Sequence, residues 1–396
     1  MAELSPTTLS FGAGENHVAQ ETRIPEGFAR RVLNLDLDNE GLGHARAELV
    51  KATPSTTYTY SPYVAPTLGL TLLVANDRIA QYRDGDIVPL QDSTGATWSA
   101  KTRGPMYWAE YKDVVLFTNG VINGQVDAQG MLHSWWVENP VAGNRVSNGD
   151  QVRYLTYEDA EGRESGAVRF DSGTPPFTPG RVARLYWADA ESTQYRRNGD
   201  GRILQTQGRI VMPPGRYLTV FSGRAFVARG PYLYYSDPLN IGLCDLRYNF
   251  EEFSSPITMI AASLSGIYVS TEGGVFFLAG ANPTEWVRRE VSPIGAIPGS
   301  ATIVPADFID FEALGRAATQ QFVVAYLTRS GLAFGLDQGQ VVEPTKDRLR
   351  LPDDTEVHLQ AVPRGGYYQL IAVPQQPPHP AQNRAIDSPV TTEVLP

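Results

Sequence analysis

The sequence has very little of the chemistry that cysteine and histidine supply. Cys244 is the only cysteine in 396 residues, which excludes an internal disulfide framework and a cysteine-based zinc site. The histidines are scattered, no pair has metal-ligand spacing, and no HExxH motif occurs. We interpret all five as surface or turn residues: His17, His44, His133, His358 and His379. The sequence therefore predicts neither a metal site nor a cofactor.

Long hydrophobic runs and a surplus of basic residues are also missing. No window approaches 18 consecutive apolar residues, and the N-terminus lacks a basic start followed by an apolar run, so we expect neither membrane insertion nor a secretion signal. The 33 Lys and Arg stand against 43 Asp and Glu, and the net charge of −10 repels phosphate backbones. We expect no sequence-specific nucleic-acid binding. An acidic surface can still line a channel through which a DNA duplex passes without being bound.

Familiar catalytic motifs are absent as well. No GxSxG elbow, Walker loop or Rossmann fingerprint occurs. "DLDNEG" (residues 36 to 41) resembles the start of a calcium loop, but Ala47 stands where an EF-hand needs glutamate, which favours a hairpin turn. Cys244 is predicted to be a small core residue. A glycosidase needs two facing carboxylates, and nothing singles out a pair among the conceivable ones: Glu110, Glu138, Asp237, Asp245, Glu251 and Glu252. We therefore predict no catalytic residue and no enzyme.

Turn residues, in contrast, are plentiful. The chain has 37 glycines and 29 prolines, 42 % hydrophobic and only 19 % charged residues, which favours many short strands and predicts an all-β fold. Alternating apolar runs flank turn dipeptides, and Asn119-Gly120 is the strongest of these hairpin signals. Seven hairpins are predicted, with turns near residues 40, 77, 119, 230, 272, 330 and 365.

The hairpins recur at a nearly constant interval. Their turns are separated by about 37, 42, 111, 42, 58 and 35 residues, mostly near the ~40 to 50 of one propeller blade. We predict a β-propeller of about six or seven blades over residues 31–143 and 211–373. The long gap predicts an inserted β-sandwich over 144–210. Residues 305–318 have at most a short helix, 1–30 form an N-terminal arm, and 374–396 form an extended, Pro-rich C-terminal arm that we expect a neighbouring subunit to hold.

Two local patterns add to this interpretation. "DSTGATW" (Asp92 to Trp98) resembles the Asp-box of sialidase-like propellers, Ser-x-Asp-x-Gly-x-Thr-Trp, with one extra residue and in a single copy; an Asp-box is a structural turn. In "GRAFVARGPYLYYSDP" (223 to 238), the candidates for packing between blades are Phe226, Ala228, Leu233 and Tyr235. Dense aromatic stretches such as Trp135-Trp136 and Tyr367-Tyr368 are interpreted as packing residues rather than a sugar-stacking platform.

Three stretches together resemble the β-propeller structural proteins of tailed-phage virions, the group that includes the tail nozzle or hub of short-tailed phages. The first is "RIPEGFARRVLNLDLDNEG". The second is "RYLTYEDAEGRESG" followed by "ARLYWADAESTQYRR", which is similar to that family's inserted immunoglobulin- or fibronectin-like module. The third is "GRYLTVFSGRAFVARGPYLYYSDPLN" leading to "FSSPITMIAASLSGIYVSTEGGVFFLAG". The resemblance covers about residues 15 to 280 and weakens past about 300.

The resemblance implies a structural subunit of a virion tail, assembled in the host cytoplasm as a homo-oligomer, with a six-fold ring as the expected form. It implies other tail proteins, such as an adaptor and fibres, as partners, and genomic DNA that passes without specific binding. Two alternatives stay open. One is a baseplate or tail-tip protein that anchors receptor-binding fibres in a long-tailed phage. The other is a propeller glycosidase or lectin acting on surface polysaccharide.

Overall fold

The protein is built almost entirely of β-strands. The computed structural model describes residues 35–37, 43–45, 58–101, 104–140, 153–170, 178–187, 194–306, 309, 321–345, 356–364, 367–374 and 394–395. Among these residues there is no α-helix, and the only named helical segments are two short 3-10 turns, Pro283–Glu285 and Asp337–Gly339. The all-β prediction is confirmed.

The strands follow in chain order as β1 (Leu35–Leu37), β2 (Gly43–Ala45), β3 (Thr59–Ala65), β4 (Leu70–Ala75), β5 (Arg78–Arg83), β6 (Asp86–Pro89), β7 (Tyr107–Tyr111), β8 (Val114–Thr118), β9 (Asn123–Asp127), β10 (Leu132–His133), β11 (Arg153–Glu158), β12 (Val168–Arg169), β13 (Val182–Trp187), β14 (Arg196–Arg197), β15 (Ile210–Val211), β16 (Arg216–Phe221), β17 (Arg224–Arg229), β18 (Tyr232–Tyr235), β19 (Leu243–Cys244), β20 (Phe250–Glu252), β21 (Ile257–Ala262), β22 (Gly266–Thr271), β23 (Gly274–Ala279), β24 (Val287–Ser292), β25 (Thr302–Pro305), β26 (Phe322–Thr328), β27 (Gly331–Gly335), β28 (Val341–Val342), β29 (Val357–Arg364), β30 (Tyr367–Pro374) and β31 (Val394–Leu395).

Most strands join antiparallel sheets in which the strands pair in chain order, although in sheet C β18 pairs with β20 because β19 pairs with β15. Five sheets have four strands in this up-and-down order: sheet A (β3 to β6), sheet B (β7 to β10), sheet C (β16, β17, β18 and β20), sheet D (β21 to β24) and sheet E (β25 to β28). Sheet F has three strands, β29 to β31, and β1 pairs with β2, as β15 does with β19. Four-stranded sheets of this order are the unit from which propellers are built.

The chain divides into two compact units, of which one comprises Thr59–Pro256. In this unit, sheets A, B and C pack face to face in chain order. Val115 and Phe117 of sheet B lie in one apolar cluster with Leu72 of sheet A. Leu116, on the opposite face of the same strand, packs in a second cluster with Val227 of sheet C. Sheet B is therefore buried on both faces, which explains why its central strand is a continuous apolar run.

The other unit comprises Met1–Tyr58 and Ile257–Pro396. It repeats the same stacking with different sheets. Tyr268 and Phe277 of sheet D share a cluster with Tyr326 of sheet E. Val323 of sheet E packs in a further cluster with Leu359 of sheet F. Because successive residues of β26 point to opposite faces, this one strand contributes to both clusters.

All seven predicted hairpins are paired strands in the structure. Each belongs to a separate sheet or pair, and the five turns that are described lie where they were predicted. Asn76 and Asp77 both have positive φ, which is the type I′ turn that matches strand twist. The turns near 40 and 365 lie outside the described residues, although the strands on either side of each are paired.

The strands β11 to β14, which lie within residues 144–210, depart from the up-and-down order. They form one four-stranded sheet, the inserted sheet, in the order β12-β11-β13-β14. The second sheet that a sandwich requires stays a prediction. The predicted N-terminal arm and almost all of the segment 305–318 lie outside the described residues. Of the predicted C-terminal arm, Pro374 is described as the last residue of β30, and Val394–Leu395 are described as a strand that pairs with Leu370 and Ile371 of β30.

Candidate functional site

Residues 237–249 make up nearly all of the segment between β18 and β20 and form a long loop with many internal hydrogen bonds. We call it the 237–249 loop. Backbone bonds cross it, from Asp237 N to Leu243 O at 2.8 Å and from Asn249 N to Asp245 O at 2.8 Å. Its short strand β19 pairs with β15, and Met212 N donates to Gly242 O at 2.7 Å. A loop whose amides are paired in this way presents its side chains in one fixed arrangement.

Gly242 shows how closely this loop approaches the rest of its unit. A Cβ at this position would lie 2.3 Å from Trp136 Cβ and 2.7 Å from Trp135 O. Real Cβ atoms do not come this near to backbone, so only glycine fits. Trp135 is buried, while Trp136 is half-buried and donates its indole Nε1 proton to Glu164 O at 2.9 Å. The two tryptophans thus join the loop, sheet B and the inserted sheet, in agreement with the predicted packing role.

Two of the six conceivable catalytic carboxylates meet in this loop. Arg209 Nε lies 2.8 Å from Asp237 Oδ2, and Arg209 Nη1 lies 3.7 Å from Asp245 Oδ2. Asn249 Nδ2 donates to the other Asp237 oxygen at 2.9 Å. Asp245 is buried and also receives Arg247 Nη2 at 2.7 Å. The sequence did not single out this pair, because the arginine that joins the carboxylates comes from a distant segment.

The electrostatics of Asp245 do not suit acid catalysis. Hydrogen bonds from Arg247, assisted by the charges of Arg247 and Arg209, hold the pKa of the Asp245 carboxyl below its usual range. A glycosidase acid needs the opposite shift, a pKa raised so that the carboxyl keeps its proton near neutral pH. The two carboxylates accept hydrogen bonds that stabilise the conformation of the loop.

Cys244 lies within the same network and is fully buried. Burial, together with the nearby Asp237 and Asp245 charges, raises the pKa of its thiol to about 12. A thiol of this kind remains protonated at physiological pH and is a poor nucleophile. The prediction that Cys244 is a small core residue is confirmed.

The 237–249 loop carries several exposed apolar side chains. Leu239 is 68 % exposed, Tyr248 is 71 % exposed, and Leu246 is also exposed. Ile210, which pairs with Cys244 across the β15–β19 ladder, is exposed as well. Arg247 stands between Leu246 and Tyr248, its guanidinium over the Tyr248 ring at 5.2 Å. Tyrosine and arginine on a rigid support are the residues that most often anchor protein interfaces.

The Asp-box-like segment is a structural turn, and two other turns of the chain have the same hydrogen-bond pattern. In Asp-x-x-Gly-x segments that start at Asp92, Asp127 and Asp159, the glycine amide donates to the aspartate carbonyl and the next amide donates to its carboxylate. The second carboxylate oxygen accepts from a different side chain in each: Trp98 Nε1 at 2.9 Å, His133 Nε2 at 2.8 Å and Arg163 Nε at 2.7 Å. Hydrogen bonds from Thr94 and Trp98 hold the pKa of the Asp92 carboxyl far below its usual range.

A second ionic network lies on one face of the inserted sheet. Glu158 accepts two hydrogen bonds of 3.1 Å from Arg184 and one of 2.5 Å from Arg197. On the same face, Glu164 Oε1 accepts from Thr156 Oγ1 at 2.5 Å and from Tyr186 OH at 2.6 Å. Every carboxylate in this network accepts hydrogen bonds, mostly from arginine. The network therefore stabilises the sheet rather than a reacting group.

The remaining conceivable carboxylates do not converge with these. Glu110 caps residue Thr67, accepting from its amide at 3.2 Å and from its hydroxyl at 3.3 Å. Glu138 lies 4.0 Å from Arg181. Glu251 and Glu252 are in β20, an edge strand of sheet C. In the part of the chain that is described, no group of three His, Cys, Asp or Glu side chains has metal-binding geometry. His133 lies in β10 and His358 in β29, and both are half-buried, so the interpretation of all five histidines as surface or turn residues is wrong for these two. His17, His379 and the side chain of His44 lie outside the described residues.

No helix within the described ranges is long and apolar enough to cross a membrane.

No protein-family model matches the chain, and no curated protein sequence is significantly similar to it. Among solved structures, it is similar to Kluyveromyces lactis Hsv2, at 7 % identity and TM-score 0.32 over 81 % of this chain and 91 % of that one. It is also similar to the N-terminal domain of Nup159, at 12 % identity and TM-score 0.32 over 80 % and 86 %.

A third similar structure is the extracellular domain of the putative hybrid two component system BT3049 from B. thetaiotaomicron, at 9 % identity and TM-score 0.34 over 81 % of this chain and 39 % of that one. Hsv2 and Nup159 are propeller proteins. At TM-scores this low, the similarities carry no inference about function. The fold rests on the strand pairing and sheet packing described above.

Proposed function

We propose that the protein is a non-enzymatic structural subunit of a bacteriophage tail, a nozzle- or hub-type β-propeller that forms a ring around the DNA exit channel. The proposal depends mainly on the third stretch that resembles this family, residues 215 to 280. Its hairpins pair as β17 with β18 and β22 with β23, and they form the centres of two successive four-stranded sheets. The net charge of −10 suits a channel that does not retain DNA.

The finer architecture belongs to the same proposal. Sheets A to F each contain one predicted hairpin, and the β1–β2 pair contains the seventh. Stacking of consecutive sheets, as seen within each unit, is the way a propeller of about six or seven blades is assembled. We propose that the inserted sheet is one half of an immunoglobulin- or fibronectin-like module carried by this propeller.

Assembly of the full chain tests the ring. The purified protein is expected to form a closed oligomer, about six times the 43.4 kDa chain mass, visible as a ring by negative-stain electron microscopy. Light scattering coupled to gel filtration gives the mass independently. A strictly monomeric chain at micromolar concentration would contradict the proposal.

Virion particles test the location. In particles of the phage or prophage whose genome encodes the chain, mass spectrometry is expected to find the protein, and a reconstruction is expected to show it as an axial ring in the tail. A position beside receptor-binding fibres would favour the baseplate alternative. Absence from particles, together with turnover of surface polysaccharide, would favour the glycosidase alternative.

A further inference from the structure

We propose that the 246–248 tip, meaning Leu246, Arg247 and Tyr248, docks on the edge strand β6 of a second copy of this chain. This inference rests on the proposed ring and names the contact that builds it. The tip projects from the 237–249 loop, and its three side chains are all exposed, Tyr248 at 71 %. Exposed leucine and tyrosine on a loop with few conformational choices lose little entropy when a partner covers them.

The position of Arg247 gives the tip its charge. Its guanidinium is held by the buried Asp245, with Nε at 2.9 Å from Oδ1 and Nη2 at 2.7 Å from Oδ2, yet 64 % of its side chain is exposed. The fixed arginine presents remaining donors to the outside. The surface that fits this tip must therefore combine apolar contact with a carboxylate.

Strand β6 has this combination. Asp86 and Val88 are exposed and, two residues apart in a strand, lie on the same face. Within the described residues, β6 pairs only with β5 and so is the edge of sheet A. Of the other exposed valines, Val182 follows Arg181, and Val287 precedes Arg288 and Arg289. Val64 and Val121 are also exposed, but neither has an acidic residue within two positions of the chain. Asp86 stands opposite Arg83 across the hairpin, but Asp84 and Asp86 together leave residues 83–88 with a net negative charge. This charge complements Arg247 and selects β6 over the other valines.

The locations of the two surfaces suit a ring. Sheets A and C pack on opposite faces of sheet B, since Phe117 contacts the cluster of sheet A while Leu116 contacts that of sheet C. The tip of sheet C and the edge of sheet A therefore belong to sheets that are separated by sheet B, and they are two different surfaces of the unit. A contact from one side to the other between copies is heterologous, and heterologous contacts generate closed rings when the rotation closes.

Charge exchange tests the contact with the full chain. Arg247→Glu and Asp86→Arg are each expected to abolish the oligomer, because each places like charges at the contact. An equimolar mixture of the two variants is expected to restore it, since alternating copies again pair opposite charges on both sides. Light scattering measures the mass in all three samples. Failure of the mixture to assemble, with both single variants still folded by circular dichroism, would overturn the proposed contact.

Apolar substitutions and a cross-link complete the design. Leu246→Ser with Tyr248→Ser is expected to raise the concentration needed for assembly by about tenfold or more, whereas the matched control Leu264→Ser, at a residue 51 % exposed elsewhere, leaves it unchanged. Because Cys244 is buried, Tyr248→Cys with Val88→Cys gives a clean oxidation test, and covalent oligomers on a non-reducing gel support the contact. If the wild-type chain forms a ring, and all these variants still form it without cross-linking, the proposed contact is wrong but the proposed ring is not. If the wild-type chain is monomeric, the proposed ring itself is wrong.

Discussion

Sheet D and the inserted sheet have the same number of strands but are stabilised in different ways. Every residue of β22, in sheet D, is buried, whereas β13, at the centre of the inserted sheet, has one buried residue, Tyr186. Sheet D uses apolar side chains on both faces, and its strands β21 to β23 contain no charged residue. The inserted sheet places an arginine and glutamate network on one face. The first is stabilised mainly by the removal of apolar surface from water, and the second depends much more on hydrogen bonds and charge.

The largest effect is expected from a cavity in sheet D. Phe277 is fully buried between Tyr268 and the residues of sheet E, so Phe277→Ala is expected to lower the free energy of unfolding by about 3–5 kcal/mol. The neighbouring Phe276 points to the other face and is only half-buried, so Phe276→Ala is the matched control with a smaller loss. Urea unfolding followed by tryptophan fluorescence measures both. Equal losses would mean that burial between sheets D and E does not set the stability of sheet D.

A smaller effect is expected from the ionic network of the inserted sheet. Glu158→Ala leaves Arg184 and Arg197 without their shared acceptor, and we expect a loss of about 1–2 kcal/mol. The loss is limited because Arg184 is partly exposed and Arg197 keeps Asp200 as a second acceptor. Glu161→Ala removes an exposed carboxylate of the adjacent turn and is expected to change stability by less than about 0.5 kcal/mol. Hydrogen exchange of the β11 and β13 amides reads out the inserted sheet specifically. Protection unchanged in the first variant would show that the network contributes nothing.

Acidic pH is expected to lower the stability of the inserted sheet more than that of sheet D. Hydrogen bonds from Arg184 and Arg197 hold the pKa of the Glu158 carboxyl below its usual range, so the folded state favours the ionised form. The stability that this gives is complete above the unfolded pKa of about 4.3 and is lost as the pH falls through the lower folded pKa. Amide protection in β11 is therefore expected to fall between about pH 5 and pH 3 in the wild type.

Glu158→Gln is the control for this titration, since it cannot ionise. The difference in protection between wild type and variant is expected to shrink as the pH falls, while the amides of β22 stay protected in both until global unfolding. High salt, which screens the arginine and glutamate charges, is expected to weaken β11 protection in the same selective way. A pH-independent difference would mean that Glu158 acts through packing and not through its charge.

The same contrast explains what the sequence predicted and what it did not. Hairpins were found because their signals are local: Asn119-Gly120 and Gly230-Pro231 stand between alternating runs that pair with each other. The strand order of the inserted sheet was not predicted, because β12 and β13 both pair with β11 and the turns between them carry no signal of this order. The Asp237 and Asp245 pair was missed for a related reason. Arg209, which joins them, lies 28 residues before Asp237, and no local pattern reports such a contact.

The smallest effect is expected from a hairpin turn of a sheet that is buried on its faces. Ser222 and Gly223 connect β16 and β17 of sheet C, and Ser222 is an exposed non-glycine residue with φ of 47°. Asparagine tolerates this left-handed conformation better than serine, and Asn-Gly is the preferred pair for such a turn, so Ser222→Asn is expected to stabilise the protein by about 0.5 kcal/mol. Ser222→Ala, which lacks a side chain that favours this conformation, is expected to be neutral or slightly destabilising. Urea midpoints of the three chains give the comparison, and a gain above about 1 kcal/mol would show that turns contribute more to these sheets than their buried faces suggest.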